Sequence, residues 1–419
     1  MGLNNTKDRN IDEKFDMKAP PKKQAWYLKP VAWALSIPDL ISHRSKIKRI
    51  NVESLKPPYL LLCTHAAFLD FKVATKAIFP HGATYVVAID GFIGREKIMR
   101  DVGCIATRKF INDVQLVKNL VYSINVLKQN VIVYPEARYS ICGTTAILPP
   151  SLGKLAKLLN VPVAVLNTHG HFINSSVWNL KNKRVPVEAE FTQIVDKDEI
   201  KTLSYEQINE RIEKAFYYDD FAWQKEKGIL IKDKNRAKGL EKVLYKCPHC
   251  NAEHVIYSDG TKLICPNCKK EYEFCEDGSI KALNGETEFP HIPDWYEWER
   301  ACVKEEILRG EYKTEDDVDV DSLPNSKGFI NMGNGHFVHD KNGLKVTFNE
   351  NGKDKVFTKN IEDNYSCHIE FEYNNKGDCV SFSEKEDTYY FFFKNLKNII
   401  VKVHFAVEEL YKLRTQKLI

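Results

Sequence analysis

The chain has 419 residues, of which 43% are apolar and 28% are charged, a composition ordinary for a globular protein. This length exceeds what one hydrophobic core usually supports, so we expect two or three domains. The sequence contains no run of about 18 apolar residues, and we therefore predict that no transmembrane helix is present.

The charge is unevenly distributed along the chain. Residues 1–240 carry 37 basic and 24 acidic side chains, whereas residues 241–419 carry 24 basic and 33 acidic ones. A basic front half favours anionic partners such as phospholipid head groups, coenzyme A or an acidic carrier protein. The alternative is that these lysines only keep the surface soluble.

Cysteine usage and one aromatic segment bear on the location of the protein. Four of the 11 cysteines form two Cys-x-x-Cys pairs and the rest are scattered, which, without a signal peptide, indicates a reducing cytoplasm. Residues 26–41 are aromatic and apolar and precede a basic cluster at 44–49, a pattern typical of a segment in the membrane interface. A helix that covers the core of the first domain is an equal alternative. We expect a cytoplasmic protein bound peripherally to the inner face of the membrane.

The patterns along the chain divide it into four parts. Residues 1–24 are polar and expected to be disordered or flexible. Residues 25–235 alternate short strands with helical patterns, which predicts an α/β domain whose site lies at the carboxyl ends of strands. A charged linker leads to a cysteine-rich segment at 240–282. Residues 290–419 begin with an acidic, aromatic helix and continue as a β-meander with a closing helix, an α+β module.

Individual elements are predicted most clearly in the first domain. Its strands are expected at residues 59–63, 85–89, 131–134, 161–166 and 187–195. Helix starts are predicted where a capping residue is followed three positions later by Glu or Gln, namely at Asn112 with Gln115, Ser204 with Gln207 and Asp294 with Glu297.

His65 and Asp70 follow the apolar strand that ends at Cys63. If a helix starts here, Asp70 lies close enough to fix the tautomer of His65, which can then act as a general base on an acceptor hydroxyl. The spacing alone is weak evidence, because His254 and Asp259 repeat it inside the cysteine-rich segment, where we interpret it as accidental. The preceding buried strand and the motifs that follow distinguish the first pair.

Two further motifs each place an arginine just after an apolar segment. They are Gly103-Cys-Ile-Ala-Thr-Arg108 and Tyr134-Pro-Glu-Ala-Arg-Tyr-Ser140. Glu136 stands at the carboxyl end of the strand at 131–134. If that strand runs parallel to the one before His65, a single sheet edge carries the acid–base pair, Glu136 and two arginines able to bind phosphate, Arg108 and Arg138.

In these motifs the sequence resembles the glycerolipid acyltransferase family that includes 1-acylglycerol-3-phosphate acyltransferases. The family's H-x4-D motif matches His65 and Asp70, and its glycine–arginine motif resembles Gly103 and Arg108. Its F-P-E-G-T-R motif is similar to residues 134–137, and its apolar strand containing proline is similar to residues 161–165. The resemblance covers roughly residues 50–220.

The resemblance implies an activity and its partners. An acceptor hydroxyl would attack the acyl thioester of acyl-CoA or acyl carrier protein, with no covalent enzyme intermediate and no catalytic metal. The expected acceptor is a lysophospholipid, namely 1-acylglycerol 3-phosphate. Substrate contacts are expected from Arg108, Glu136 and Arg138.

The third motif departs from the family pattern. Ala137 replaces the glycine, and the arginine falls one position early, at Arg138, with Tyr139 in its usual place. Arg138 either binds the acceptor's phosphate together with Arg108 or forms a structural bridge with Glu136 or another carboxylate. In the second case phosphate binding would rest on Arg108 and Lys109. We favour the phosphate, since two arginines suit a dianion.

His169 and His171 follow the strand at 161–166. Two histidines with no nearby carboxylate are more often structural or loop residues than metal ligands. We therefore expect no metal at this position.

Cys247-Pro-His-Cys250 and Cys265-Pro-Asn-Cys268 are separated by fourteen residues. Each pair can form a tight turn that aims two thiolates at one ion, and two such turns joined by a hairpin make a zinc ribbon. Because sulfur fills all four positions, the zinc is expected to be structural.

The ribbon supplies an alternative function, since zinc ribbons often bind nucleic acid. On that hypothesis the protein is a non-catalytic nucleic-acid-binding or scaffold protein. The residues after the second pair are acidic and repel phosphate, so no nucleic acid is expected as a partner. These residues are Glu271, Glu273, Glu276 and Asp277. The C-terminal β-meander with its closing helix is loosely similar to a pleckstrin-homology-like module. This resemblance does not indicate which ligand the module would bind.

Overall fold

The computed structural model describes residues 13–350 and 352–418, and the chain forms two compact units. The first, which we call the α/β unit, comprises residues 17–107 and 113–231. The second, the ribbon–sheet unit, comprises residues 108–112, the chain from 232 onward and the described residues before 17. The predicted flexible segment falls partly on residues 1–12, which lie outside the described residues. The finer domain boundaries stay predictions.

A seven-stranded sheet forms the centre of the α/β unit. Its strands are β1 (Lys46–Ile50), β2 (Leu60–Cys63), β3 (Ala83–Ala88), β4 (Cys104–Thr107), β5 (Asn130–Val133), β6 (Val163–His169) and β7 (Glu188–Val195). They lie in the order β1-β7-β6-β2-β5-β3-β4. From β6 to β4 all neighbours are parallel, whereas β7 is antiparallel to β6 and parallel to β1. The prediction of a mixed α/β fold is confirmed.

Nine α-helices accompany this sheet in the described part of the unit. They are α1 (Leu28–Ser42), α2 (Leu69–Ile78), α3 (Glu96–Asp101), α4 (Val114–Asn125), α5 (Leu152–Leu159), α6 (His171–Asn174), α7 (Glu199–Thr202), α8 (Tyr205–Phe216) and α9 (Asp220–Glu226). Helix α8 buries every fourth residue, at Ile208, Ile212 and Phe216, and so covers β-branched and leucine side chains of the sheet with a single apolar face.

The ribbon–sheet unit contains a four-stranded antiparallel sheet, a helix that follows this sheet and a helix at the end of the described chain. The strands are β8 (Tyr257–Asp259), β9 (Lys262–Cys265), β10 (Lys270–Phe274) and β11 (Ile280–Ala282), in the order β11-β10-β9-β8. Helices α10 (Ile292–Leu308) and α11 (Ile400–Thr415) pack together, with the rings of Tyr296 and Phe405 4.5 Å apart. Arg300 of α10 donates to the buried Glu408 of α11 at 2.5 Å.

A second seven-stranded sheet, antiparallel throughout, follows α10. It contains β12 (Lys313–Ser322), β13 (Ile330–Asp340), β14 (Gly343–Glu350), β15 (Lys353–Lys359), β16 (His368–Glu370), β17 (Cys379–Ser383) and β18 (Thr388–Phe393). The strand order is β15-β14-β13-β12-β18-β17-β16. The predicted β-rich C-terminal part is confirmed.

The predicted helix starts have mixed outcomes. The capping box of α8 is present, since Ser204 Oγ accepts the Gln207 N–H at 3.2 Å and Gln207 Oε1 accepts the Ser204 N–H at 2.9 Å. Asn112 is not the cap of α4, because Asp113 accepts the Leu116 N–H at 2.9 Å. The prediction for Asp294 is also wrong: α10 starts two residues earlier and carries proline in its first turn, where no N–H is needed.

None of the helices in the described part of the chain is both long and apolar enough to cross a membrane.

Candidate active site

Three loops at one edge of the α/β sheet bring the candidate residues together. His65 follows β2, Glu136 follows β5 and His171 follows β6, and both β5 and β6 are parallel neighbours of β2. Because the carboxyl ends of parallel strands meet at the same edge of a sheet, these side chains converge. Asp70, in the first turn of α2, completes the group.

Asp70 is a buried carboxylate that faces the His65 imidazole. Its Oδ2 lies 3.1 Å from His65 Nδ1 and accepts the backbone N–H groups of Ala66 and Ala67 at 2.6 and 3.0 Å. Burial by itself raises the pKa of Asp70, but hydrogen bonds and charge interactions with His171, and then His65, outweigh burial and hold this pKa well below its usual range. An ionised Asp70 only accepts hydrogen bonds. Nδ1 of His65 therefore donates, and Nε2 is left as the basic nitrogen.

The imidazole of His65 lies between two tyrosine rings. The ring centroids of Tyr134 and Tyr139 are each 4.4 Å from that of His65. The backbone of His65 is fixed as well, because its N–H donates to Glu136 Oε2 at 2.9 Å and its carbonyl accepts the Ser140 N–H at 2.8 Å. The side chain of His65 stays 25% exposed, so a substrate can reach it.

Glu136 is a buried carboxyl that connects several loops. Its Oε1 accepts the Ala146 N–H at 2.8 Å and the Tyr218 hydroxyl at 3.1 Å, while Oε2 accepts from His65. Burial raises the pKa of Glu136 to about 7, against the opposing effect of these donors and of the Arg138 charge. These contacts hold the His65 loop in place, and the substrate contact expected of Glu136 stays a prediction.

Ala137 adopts a left-handed backbone conformation, with φ of 55°. Its N–H donates to the Tyr134 carbonyl at 3.0 Å and closes a tight turn after β5. A Cβ makes this conformation costly, which explains why a glycine would suit this position in the motif.

The two predicted phosphate-binding arginines are both buried. Arg138 is 4% exposed, and its charge lowers the pKa of the neighbouring Glu136. Arg108 belongs to the ribbon–sheet unit, where its guanidinium donates to four protein oxygens at 2.8 to 3.0 Å. These oxygens are the carbonyls of Leu323, Pro324 and Glu386 and the hydroxyl of Thr388. The predicted pairing of Arg108 with Arg138 on one phosphate gains no support from these contacts.

Sequence reasoning missed the part played by His171, which was considered only as a metal ligand or a structural residue. Its Nδ1 contacts Asp70 Oδ1, and its side chain is fully buried. The preceding Gly170 has φ of 82°, and a Cβ there would lie 2.7 Å from the Pro186 carbonyl oxygen. The sequence could have indicated this role, because His171, like Glu136, follows a predicted strand. If that strand is parallel to the one before His65, its end lies at the same edge of the sheet.

The four cysteines of the ribbon converge as predicted. Their sulfur atoms lie within 4.8 Å of one another, with Cys247 3.7 Å from Cys268 and Cys250 3.7 Å from Cys265. Sulfur atoms placed tetrahedrally at about 2.3 Å from a zinc ion are separated by about 3.8 Å, so this geometry fits a four-coordinate metal.

The two cysteine turns have the same backbone design. Asn251 and Lys269, which follow the second cysteine of each pair, have φ of 60° and 61°. Their N–H groups donate to the carbonyls of Cys247 and Cys265, both at 2.9 Å. The cysteine sulfurs are therefore positioned by the backbone of each turn.

No family model matches the sequence, and no curated protein matches it. Among solved structures, the fold is similar to the crystal structure of the 1-acyl-sn-glycerophosphate (LPA) acyltransferase PlsC from Thermotoga maritima. The TM-score is 0.37 and the identity 14%, over 45% of this chain and 76% of that chain. Because so distant a likeness does not indicate an activity, the function of this protein has to be argued from the geometry around His65.

Proposed function

We propose that the protein transfers an acyl group from the thioester of acyl-CoA or acyl carrier protein to the hydroxyl of a lysophospholipid, with His65 as the general base. The observation that carries the proposal is the half-buried His65 imidazole whose Nδ1 faces the buried, ionised Asp70 at 3.1 Å. The lysophospholipid class follows from the motif resemblance and the basic charge of the front half of the chain.

The residues supply the steps of such a transfer. Nε2 of His65 takes the proton of the acceptor hydroxyl as its oxygen attacks the thioester carbonyl, and Asp70 stabilises the imidazolium that forms. The carbon–sulfur bond then breaks, and the imidazolium returns its proton to the leaving thiolate. Glu136 keeps the His65 backbone in position throughout.

The outer face of α1 suits a membrane surface. Tyr27, Val31, Leu35 and Ile41 recur at helical spacing and are 54%, 49%, 70% and 70% exposed. The exposed Arg44 and Lys46 follow the helix directly. An apolar stripe beside basic residues binds the interface of an anionic bilayer, which would bring lipid acceptors to the same unit that holds His65.

We also propose that the four ribbon cysteines hold one structural zinc ion. All four ligand positions are sulfur, so the ion has no open position for catalysis and contributes to folding of the ribbon–sheet unit.

The decisive experiment incubates the purified protein with acyl-CoA or acyl carrier protein and a panel of lysophospholipid acceptors. We expect an acylated product, and at least a hundredfold less of it from His65→Ala, since general-base catalysis contributes about that much or more. His81→Ala is the matched control, because His81 is an exposed histidine of the same unit. Full activity in His65→Ala would contradict the proposal. Absence of product with every acceptor, together with tight nucleic-acid or protein binding, would favour the scaffold alternative.

A further inference from the structure

One buried carboxylate contacts two histidines in the α/β unit. Oδ2 of Asp70 faces Nδ1 of His65, and Oδ1 faces Nδ1 of His171. The His65 side chain is 25% exposed, whereas that of His171 is fully buried. The proposed reaction, as described above, makes no use of His171.

We propose that His171 is a positioning residue for the general base, acting on His65 through Asp70; the catalytic meaning of this role rests on the proposed function. Its Nδ1–H donates to Oδ1 of Asp70, while the backbone N–H groups of Ala66 and Ala67 hold Oδ2. Together these donors fix the plane of the carboxylate that faces His65. The hydrogen bond from His171 also stabilises the negative charge of the carboxylate. It thereby weakens the attraction between Asp70 and the protonated imidazole of His65.

His171 is itself held by the backbone around it. Asp220 Oδ2 accepts the N–H groups of Gly170 and Phe172, both at 3.1 Å, on either side of the histidine. The Asn174 N–H donates to the Gly170 carbonyl at 3.0 Å. The imidazole therefore reaches Asp70 from a rigid support, as a positioning group must.

The two oxygens of the Asp70 carboxylate have different donors, so the effect of His171 can be separated from that of the groups that hold Oδ2 beside His65. Oδ2 is bound by two backbone N–H groups in addition to His65, so its place does not depend on His171 alone. Replacing His171 by an apolar residue therefore leaves Asp70 beside His65 but with one donor fewer. A carboxylate with fewer donors attracts a neighbouring imidazolium more strongly, so the pKa of His65 should rise.

Other titratable groups face this pair from every side and remain present in a His171 variant. Cys63 is the last residue of β2 and interacts with the charge of Asp70. Tyr134 and Tyr139 flank the His65 ring, and Glu136 accepts the backbone N–H of His65. The Arg138 charge lowers the pKa of Glu136, and the Asp70 charge raises that of Asp220. His169 also interacts with His171, whose charge lowers the pKa of His169. Because their positions are common to the wild type and the variants, a difference in the His65 titration reports on His171.

The test is an NMR titration of the histidine imidazoles in the wild type, His171→Leu and His171→Asn, with the full chain and its metal. Leucine removes the donor, whereas the asparagine amide can place an N–H near the position of Nδ1. We expect the pKa of His65 to rise by about half a unit or more in His171→Leu and to stay near the wild-type value in His171→Asn. The exposed His81 serves as the internal reference and should titrate alike in all three proteins.

Two outcomes would overturn the proposal. An unchanged His65 titration in His171→Leu, with only a lower melting temperature, would mean that His171 merely fills space. A wild-type NMR spectrum that shows the proton of neutral His171 on Nε2 would exclude the donor role. This measurement needs no variant, so it decides the question even if His171→Leu does not fold.

The activity measurement separates this inference from the proposed function. If the wild type transfers acyl groups, the acid limb of kcat/KM should move to higher pH in His171→Leu by the same amount as the His65 titration, and His171→Asn should restore it. If the wild type transfers none, the proposed function fails, whereas the titration still decides whether His171 acts on His65 through Asp70.

Discussion

Glu136 Oε2 accepts the backbone N–H of His65 at 2.9 Å, although 71 positions separate the two residues in the sequence. The contact joins the loop after β2 to the loop after β5 and fixes the backbone of the proposed general base. The carboxyl that makes it is fully buried, and burial raises its pKa from an ordinary 4.5 to about 7.

This raised pKa predicts a loss of stability as the pH rises. The folded state holds the Glu136 proton more tightly than the unfolded chain, so its stabilising contribution is full below about pH 4.5 and is lost as the pH rises through about 7. The change is on the order of 3 kcal/mol. We expect the melting temperature to fall between about pH 5 and pH 8, and to fall less in Glu136→Gln, which cannot ionise. Asp220, with a pKa raised to about 7 by burial, contributes in the same direction in both proteins. Identical pH dependence in wild type and Glu136→Gln would contradict the assignment.

Ala137→Gly should stabilise the protein. Alanine at φ of 55° is strained, and glycine adopts this conformation freely. After the entropy cost of glycine is subtracted, we expect a gain of up to about 1 kcal/mol in the free energy of unfolding. Ala34→Gly, at an exposed position inside α1, is the control and should lose about 1 kcal/mol in chemical denaturation. Equal losses at both positions would mean that the Ala137 turn is not strained.

Arg138 offers a test of the acceptor. Because the side chain is 4% exposed and its charge lowers the pKa of Glu136, we infer a structural role for Arg138 in place of a contact with the acceptor's phosphate. Arg138→Ala should lower the melting temperature and reduce transfer to lysophosphatidate and to zwitterionic lysolipids alike. Lys118→Ala removes an exposed cation from the same unit and should change neither property. A rise of the Michaelis constant confined to lysophosphatidate would show instead that Arg138 contacts the phosphate.

The cysteine ribbon should depend on its metal. One zinc ion per chain is expected by elemental analysis, and Cys247→Ser or Cys265→Ser should lose it and lower the melting temperature. Cys275→Ser is the control, because Cys275 lies in the same segment but outside the four-sulfur cluster. Protein that remains folded without the metal should keep the chemistry of His65. Purified protein that contains no metal would refute the ribbon assignment.

The apolar face of α1 predicts binding to anionic vesicles. Leu35→Glu and Ile41→Glu each place a negative charge on this face, so both should weaken co-sedimentation with phosphatidylglycerol-containing vesicles while leaving thermal stability unchanged. Val126→Glu adds the same charge at a 58% exposed valine after α4 and should not affect binding. Equal effects of all three variants would mean that charge alone, and not the α1 face, determines binding.

Much of the secondary structure follows from local pattern. Apolar β-branched runs predicted five of the seven strands of the α/β sheet, because buried parallel strands need continuous hydrophobicity. The strands β1 and β4 were not predicted. The Ser204 capping box was predictable because it involves only four consecutive residues. The start of α4 was missed by one position, since Asn112 and Asp113 are both good caps and adjacent in the sequence, and it is Asp113 that accepts the Leu116 N–H.

The sequence by itself also determined the two sets of chemistry-bearing residues. His65 and Asp70 lie five positions apart, and each cysteine pair lies within four, so short-range geometry brings them together once a helix or a tight turn forms. The position of Glu136 beside His65 followed from a conditional argument that the strands before them are parallel, and β2 and β5 are indeed parallel neighbours.

Only the tertiary structure decided the contacts that depend on strand order. β6 lies next to β2, and that adjacency, which no local pattern encodes, places His171 against Asp70. The same is true of Arg108, whose guanidinium meets carbonyls more than 200 positions away in the chain. The physical reason is that periodicity records which face of an element is buried, whereas the identity of the neighbour is set by how the whole chain packs.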